Sequence, residues 1–275
     1  MNIKKVWAVY FSATGTTKKV VTSIAKTVAE SMGIKYEDRP FTLPENRESD
    51  MEFMEEDLVI FGVPVYAGRV PNVLLPFLTK KIKAKNAPAV PIVLFGNRNY
   101  DDALIELRNI LNDDGFKSVA AGAFVGEHSF SKVLGQGRPD ESDMIVATDF
   151  AKKIVKKIND MTEELSDDVA VTGDEPIRPY YKPQDRDGNF INILKVKPKT
   201  DMSICIDCKV CAEQCPMGSI NADNVDEIPG LCIKCCSCIK KCPVDAKYFD
   251  DEGFLYHKHE LEDIYERRAE VALFL

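Results

Sequence analysis

The sequence predicts an α/β protein, a doubly wound parallel sheet of five strands covered by helices, with a small α+β unit behind it. Three observations predict this. Over roughly the first 160 residues, short apolar runs alternate with amphipathic ones, the pattern of successive βαβ units. All nine cysteines lie between Cys205 and Cys242, which divides the chain. The 275 residues are 45% hydrophobic and 29% charged, enough for one good core and a smaller second unit.

The five strands are Lys5–Phe11, Ile34–Arg39, Leu58–Val63, Val90–Phe95 and Val119–Val125, and the near-continuous hydrophobicity of most of them suits burial on both faces. Between them the helical periodicity predicts Thr16–Met32, with Val20, Val21, Ile24 and Val28 at helical spacing and Gly33 as a stop. Further helices are predicted over Pro71–Ala84, Asp101–Leu111 and Glu141–Ile158. The last has acids at its start and Lys152, Lys153, Lys156 and Lys157 near its end, an order that suits the helix dipole. Met161–Lys199 is acidic and then rich in proline and aromatics, which reads as a connector that docks rather than dangles. The closing stretch LEDIYERRAEVALFL, with Leu261, Ile264, Tyr265 and Ala269 near one face, reads as a helix. The expected domains are residues 1–160, a connector over 161–199, a cysteine unit over 200–250 and a tail with a helix over 251–275.

A formal charge of −8 without a long basic run argues against a nucleic-acid partner and for a basic face on any charged one. The opening MNIKKVWAVYF imitates a signal peptide only briefly and reads as the first strand. No run approaches the roughly 18 apolar residues of a membrane helix. The expected location is the cytoplasm.

The run CIDCKVCAEQCP, Cys205 to Pro216, is repeated 27 residues later as CIKCCSCIKKCP, Cys232 to Pro243, cysteine on cysteine and proline on proline. An odd count and regular spacing fit disulfides poorly and metal ligation well. Cysteines at i, i+3 and i+6 in a tightly turning loop can place three sulfurs on three irons of a cubane, and the fourth must come from elsewhere. Proline after the last cysteine turns the chain out of the loop. Paired C-x2-C motifs also bind zinc, but four-ligand zinc sites need neither the third in-line cysteine nor the proline.

The spacing C-x2-C-x2-C-x3-C-P resembles bacterial two-cluster ferredoxins. That resemblance implies two [4Fe–4S] clusters, one held by Cys205, Cys208, Cys211 and Cys242, the other by Cys232, Cys235, Cys238 and Cys215. Cys236 receives no iron in this pattern and reads as a plain thiol.

Directly after the first strand, SATGTT presents four hydroxyls around one glycine at a helix start, an anion site. GxGxxG and GxxxxGK[ST] are both missing, which leaves a neutral cradle suited to one terminal phosphomonoester. Ser12-x-Thr14-Gly15-x-Thr17 resembles the phosphate loop of flavodoxins, and Gly96–Tyr100 is similar to the stretch that flanks the flavin in that family. The resemblance implies FMN and a sheet of order 2-1-3-4-5, with the cofactor beyond the carboxyl ends of strands 1, 3 and 4. The implied contacts are Ser12, Ala13, Thr14, Gly15, Thr16 and Thr17; Pro64, Val65, Tyr66, Ala67 and Gly68; and Gly96, Asn97, Arg98, Asn99 and Tyr100. Tyr66 and Tyr100 are the expected stacking rings, whereas the sole tryptophan, Trp7, belongs to strand 1. Arg69 and Arg98 are solvated loop arginines by default. His128 is a polar loop residue with an outside role in handling a proton at the flavin edge, and His257 and His259 carry no chemical expectation.

The whole chain resembles the fused flavodoxin–ferredoxin proteins. The resemblance implies an electron carrier between redox partner proteins, with a small-molecule reductase of a quinone or nitro compound as the alternative, marked by a cavity beneath the loop Glu127–Asp140. No catalytic residue is assigned, and a homodimer is left open.

Overall fold

The computed structural model describes residues 2–160 and 168–275, so the first seven residues of the expected connector lie outside the described residues. The N-terminal elements are β1 (Lys5–Tyr10), α1 (Thr16–Met32), β2 (Lys35–Pro40), β3 (Met51–Phe53), β4 (Asp57–Pro64), α2 (Leu75–Lys81), β5 (Ile82–Ala84), β6 (Pro88–Phe95), α3 (Ala103–Asp113), β7 (Lys117–Ser118), β8 (Ala121–Val125) and α4 (Glu141–Asp160). Beyond the connector come β9 (Lys199–Thr200), α5 (Val210–Glu213), α6 (Ser237–Lys240), β10 (Lys247–Tyr248), α7 (Glu252–Ile264) and β11 (Ala272–Phe274).

The five expected strands are β2, β1, β4, β6 and β8, parallel and adjacent in that order, which is 2-1-3-4-5. Successive residues of a strand face opposite sides of a sheet. Val9 and Phe11, Val59 and Phe61, and Val93 and Phe95 therefore meet α2 and α3 on one side. Ala8, Ile60 and Ile92 meet α1 and α4 on the other. Gly62 sits where α1 crosses β4, and a Cβ there would collide with the Val21 side chain. The glycine thus lets α1, and the loop that feeds it, lie flat on the sheet.

The sheet is larger than five strands. β11 joins the outer edge, antiparallel to β8, with Ala272 opposite Ala123 and Phe274 opposite Ala121, and β7 adds a short parallel pairing beside β6. The closing stretch expected to be helical is therefore helix only to Ile264 and a strand at its end. The unpaired edge of β8 supplies backbone donors and acceptors that a free helix end could not use. The predicted helix Pro71–Ala84 also ends early, because Ile82–Ala84 pairs with Met51–Phe53 as β5 on β3.

The described part of the connector docks, as expected. Val169 N–H donates to Ser118 O at 2.9 Å, Tyr180 Oη to Val70 O at 2.7 Å, and Tyr181 N–H to Ala67 O at 2.9 Å. Asp102, fully buried, accepts from Arg178 Nε and N–H (both 2.9 Å) and from Asp174 N–H (3.1 Å). The Arg178 guanidinium holds the Asp102 carboxyl well below the usual carboxylate range.

The cysteine runs fold as two copies of one turn. Asp207 and Lys209 in the first, and Lys234 and Cys236 in the second, have φ between 53° and 60°. Each pair coils its loop and leads into a one-turn helix, α5 or α6, and β9 pairs with β10 to close the unit. Its own core is five residues, Cys211, Ile220, Val225, Ile228 and Cys238. Among the described residues no helix is long and apolar enough to cross a membrane.

The tail is held by a buried ion pair. Arg138 meets Asp143 through Nε–Oδ2 (2.9 Å), and its Nη1 donates to Ala269 O at 2.7 Å; the two side chains are 5% and 3% exposed. Arg138→Ala leaves the buried Asp143 carboxylate only the half-exposed Arg268, 3.4 Å away, and the tail carbonyl without a donor. The expected cost is about 3–5 kcal/mol, to be read from the midpoint of chemical denaturation.

Candidate functional site

The loop Ser12–Thr17 leaves β1 and enters α1 through Gly15, whose φ of 99° needs a residue without Cβ. Ser12 N–H donates to Thr42 Oγ1 at 2.9 Å, and Ser12 Oγ accepts from Lys18 N–H at 3.0 Å, which anchors both ends of the loop. No side chain caps α1 at Gly15, and a Cβ built on that residue would meet nothing within 4 Å. Among the described residues the amides of Ala13, Thr14, Gly15, Thr16 and Thr17 have no acceptor. Five free N–H groups at the positive end of a 17-residue helix suit one phosphate group.

The second loop is a tight turn in which Tyr66 and Arg69 exchange backbone bonds of 2.9 and 3.1 Å around Ala67 (φ 50°) and Gly68 (φ 78°). Two successive residues at positive φ are the mark of a primed turn. Its outer carbonyl, Ala67 O, is already taken by Tyr181 of the connector. Arg69 is not a solvated loop arginine: it makes a bidentate pair with Glu106 (2.7 and 2.6 Å) and lies over the Tyr180 ring. Pro64 and Val65 belong to the strand end, with Val65 N–H donating to Leu94 O at 2.7 Å.

The third loop differs most from the expected set. Asn97 is buried, and its carboxamide is used up by the tail: Nδ2 donates to Tyr265 O (2.8 Å) and Arg267 O (2.7 Å), and Oδ1 accepts from Ala269 N–H (3.1 Å). Tyr100 packs on Phe95 with 5.6 Å between ring centroids, and its hydroxyl meets Thr172 of the connector. Arg98 pairs with Asp101 and lies 4.9 Å from the centroid of the Tyr181 ring. Asn99 accepts the Asp101 amide at 3.0 Å, and Gly96 backs onto His128, whose ring a Cβ would strike.

His128 accepts Phe130 N–H on Nδ1 at 3.1 Å, and desolvation lowers it to about 3. His257 is buried on α7 against Phe130 and Tyr181, and burial lowers it to about 4. The loop Glu127–Asp140 is clamped rather than free: Lys240 of α6 pairs with Glu127 and donates to Ser131 O at 2.8 Å.

The cysteines, none of them disulfide-bonded, wall two cavities. One, with about 390 Å³ of empty space that includes open solvent, is lined by Cys215, Cys232, Cys235, Cys236 and Cys238. The other, with about 330 Å³ of such space, is lined by Cys205, Cys208, Cys211 and Cys242. Cys236 apart, each cavity joins three cysteines of one run to the last cysteine of the other. Ser219 N–H donates to Cys215 Sγ at 3.3 Å, and Ala246 N–H to Cys242 Sγ at 3.2 Å, the same contact in both copies. Burial pushes the Cys235 thiol up to about 12 and raises Cys238 as well. Among the described residues no three Cys, His, Asp or Glu side chains gather as a single-ion site.

The two regions touch. Ser237 Oγ, buried between Cys236 and Cys238, bonds Ala13 O of the first loop at 2.9 Å and Gln214 O at 3.0 Å. Arg47 bonds Phe41 O, Thr42 O and Pro216 O at 2.9, 2.6 and 2.6 Å. Burial raises the Tyr66 phenol well above its usual value, and Cys235, Cys236 and Cys232 beside it act in the same direction. Ser237, Arg47, Lys240 and Tyr181 escape sequence reasoning because no motif marks a residue whose partner lies on another domain.

Residues 8–128 match the family model of the flavodoxin domain. Solved structures with similarity include a flavodoxin from the domain Archaea, at 13% identity and a TM-score of 0.42, covering 56% of this chain and 99% of that one. A flavodoxin of Streptococcus pneumonia TIGR4 is 16% identical over 56% of this chain and 99% of its own, with a TM-score of 0.39. The rubredoxin oxygen:oxidoreductase of Desulfovibrio gigas is 14% identical over 57% of this chain and 37% of its own, with a TM-score of 0.38. No curated protein matches.

Both inner histidines refuse a proton that the unfolded chain accepts near pH 6.5. Folded values below the unfolded one mean that stability is lost as pH falls from about 6.5 toward 4, by at most about 1.4 kcal/mol per pH unit for each ring. Two rings neutral down to pH 5 in NMR titrations, and a shallower pH dependence in His257→Phe, are the expected outcomes.

Proposed function

Starting from a flavodoxin-like domain in the N-terminal part of the chain, we propose that this protein is an electron carrier with FMN on that domain and a [4Fe–4S] cluster in each cysteine cavity. The observation that carries the reading is the partition of eight repeat cysteines into two sets of four, three from one run and one from the other. Four thiolates for four irons is the stoichiometry a cubane needs. When bound, the clusters move single electrons, and the flavin takes one or two with protons.

The chain's own residues divide the remaining work. The amides of Ala13–Thr17 and the hydroxyls of Thr14, Thr16 and Thr17 would hold the phosphate, a fit supported by the open space before Gly15. At the ring end the carbonyls of Ala67 and Gly68, the Asn97 carboxamide and Tyr100 are committed to other protein groups, so the Ala67 and Gly68 amides, which have no acceptor among the described residues, would be what the turn offers the flavin. Ser219 and Ala246, donating to Cys215 and Cys242, would stabilise the negative charge on those sulfurs and tune the potentials. Burial of the thiols favours their protonated form, so cluster assembly must expel protons.

A reductase of a quinone or nitro compound is the second reading. The clamp of Lys240 on Glu127 and Ser131, and the seat of Tyr181 on Ala67, favour the carrier, since both tie down what would have to open for a substrate. The formal charge of −8 supports redox proteins with a basic face as partners, and the reading places the protein in the cytoplasm.

Anaerobic reconstitution with iron, sulfide and FMN tests the reading. About eight irons and one FMN per chain are expected, from two four-iron clusters and one phosphate cradle. Cys215→Ala is expected to lower the iron content by about half, and no iron uptake by the unmutated chain overturns the assignment. Thr14→Glu places a negative charge in the cradle and is expected to weaken FMN binding by about tenfold or more, read by flavin fluorescence, an energy of about 1.4 kcal/mol.

A further inference from the structure

The two cysteine cavities are copies of one turn, but their surroundings are not alike. The cavity of Cys215, Cys232, Cys235 and Cys238 is set against the N-terminal domain. Cys235 is part of the main hydrophobic core beside residues of β4 and β6, and Ile233 packs on the same core. Ser237, 1% exposed, bonds the carbonyl of Ala13 in the phosphate loop. Pro216, which lines this cavity, is bonded by Arg47, and Tyr66 packs against the same core cluster that contains Cys235.

The cavity of Cys205, Cys208, Cys211 and Cys242 faces away. Cys208 is exposed, and its loop presents Met202, Ile204 and Ile206 to solvent, the last 61% exposed. Among the described residues, Asp245 beside Cys242 ties it to the N-terminal domain through an exposed pair with Lys132 at 3.0 Å, and exposed pairs contribute little.

We propose that the two cavities act in series: Cys215, Cys232, Cys235 and Cys238 form the inner station, joined to the flavin loops through Tyr66 and Ser237, and Cys205, Cys208, Cys211 and Cys242 form the outer station, where electrons are exchanged with a redox protein. The inference rests on the two-cluster, one-flavin reading above. With the groups bound, Cys205, Cys208, Cys211 and Cys242 would hold the cluster that takes one electron at a time from a reduced one-electron redox protein, and Cys215, Cys232, Cys235 and Cys238 the cluster that would pass it to the flavin, whose full reduction would take two such electrons and two protons from solvent.

Tyr66 is in this arrangement a positioning residue shared by the flavin loop and one cluster only, which sequence spacing cannot distinguish. The serial order also explains why a chain with two equivalent cysteine runs buries one set more deeply than the other.

The test uses the reconstituted full-length protein, with iron, sulfide and FMN quantified first. In one arm, limited chelation by EDTA followed by iodoacetamide and peptide mass spectrometry follows each cysteine. Cys205, Cys208, Cys211 and Cys242 are expected to be alkylated at least tenfold faster than Cys215, Cys232, Cys235 and Cys238; equal or reversed rates overturn the order. In the other arm, reductive titration with dithionite is followed by electron paramagnetic resonance. Cys232→Ser and Cys205→Ser assign the two cluster signals, and Tyr66→Phe is expected to move the one that Cys232→Ser moves. A shift of the other signal, or of neither, overturns the order. A protein that takes up no iron or no flavin fails the parent reading, and that outcome is separate from full uptake with indifferent cysteine rates. Should a serine variant fail to fold, the alkylation arm on the unmutated protein decides alone.

Discussion

The constraint on which the rest of the molecule depends is that the cysteine unit cannot bury enough of itself. Five residues form its private core, and two of those are cysteines. Ordering a backbone costs on the order of 1–2 kcal/mol per residue, which such a core cannot offset. The unit therefore leans on the N-terminal domain. Cys235 enters that domain's core, Ser237 takes the carbonyl of Ala13 in the loop after β1, and Arg47 and Lys240 reach across from either side. The contact falls on the loops that follow β1 and β4.

The connector and the tail answer the same need by different means. The connector is fastened at buried Asp102, at Val70 and at Ala67. The tail returns across Asn97, is bonded by Arg138 and ends as an extra strand on β8. Both pass over the carboxyl ends of the parallel strands, the side on which an open α/β sheet binds its ligands. The flavodoxin-like domain thus keeps the amides of the Ser12–Thr17 loop free and has the loops after β4 and β6 covered by segments beyond residue 128, the limit of the family match.

Burial then sets the charges. Asp102 stays ionised because Arg178 meets it, whereas His128 and His257 stay neutral because their surroundings desolvate them. Sequence gives His257 no chemical role. It is instead an inward residue of α7, stacked on Tyr181, because the helix turns Phe254, His257 and Leu261 to one side.

The sequence by itself determined the five strands, the place of the hydroxyl loop and the doubling of the cysteine turn, because each is written in local periodicity or spacing, while the strand order followed from the family resemblance. It placed β5 and β11 in the wrong element, since short segments take their structure from a partner strand distant in the chain. Tertiary structure alone decided that Asn97 serves the tail, that Tyr100 faces the connector and that one cysteine cavity abuts Ala13 while its twin looks outward. The physical reason is that identical turns carry identical local energies, and only the surface each one is pressed against makes them different.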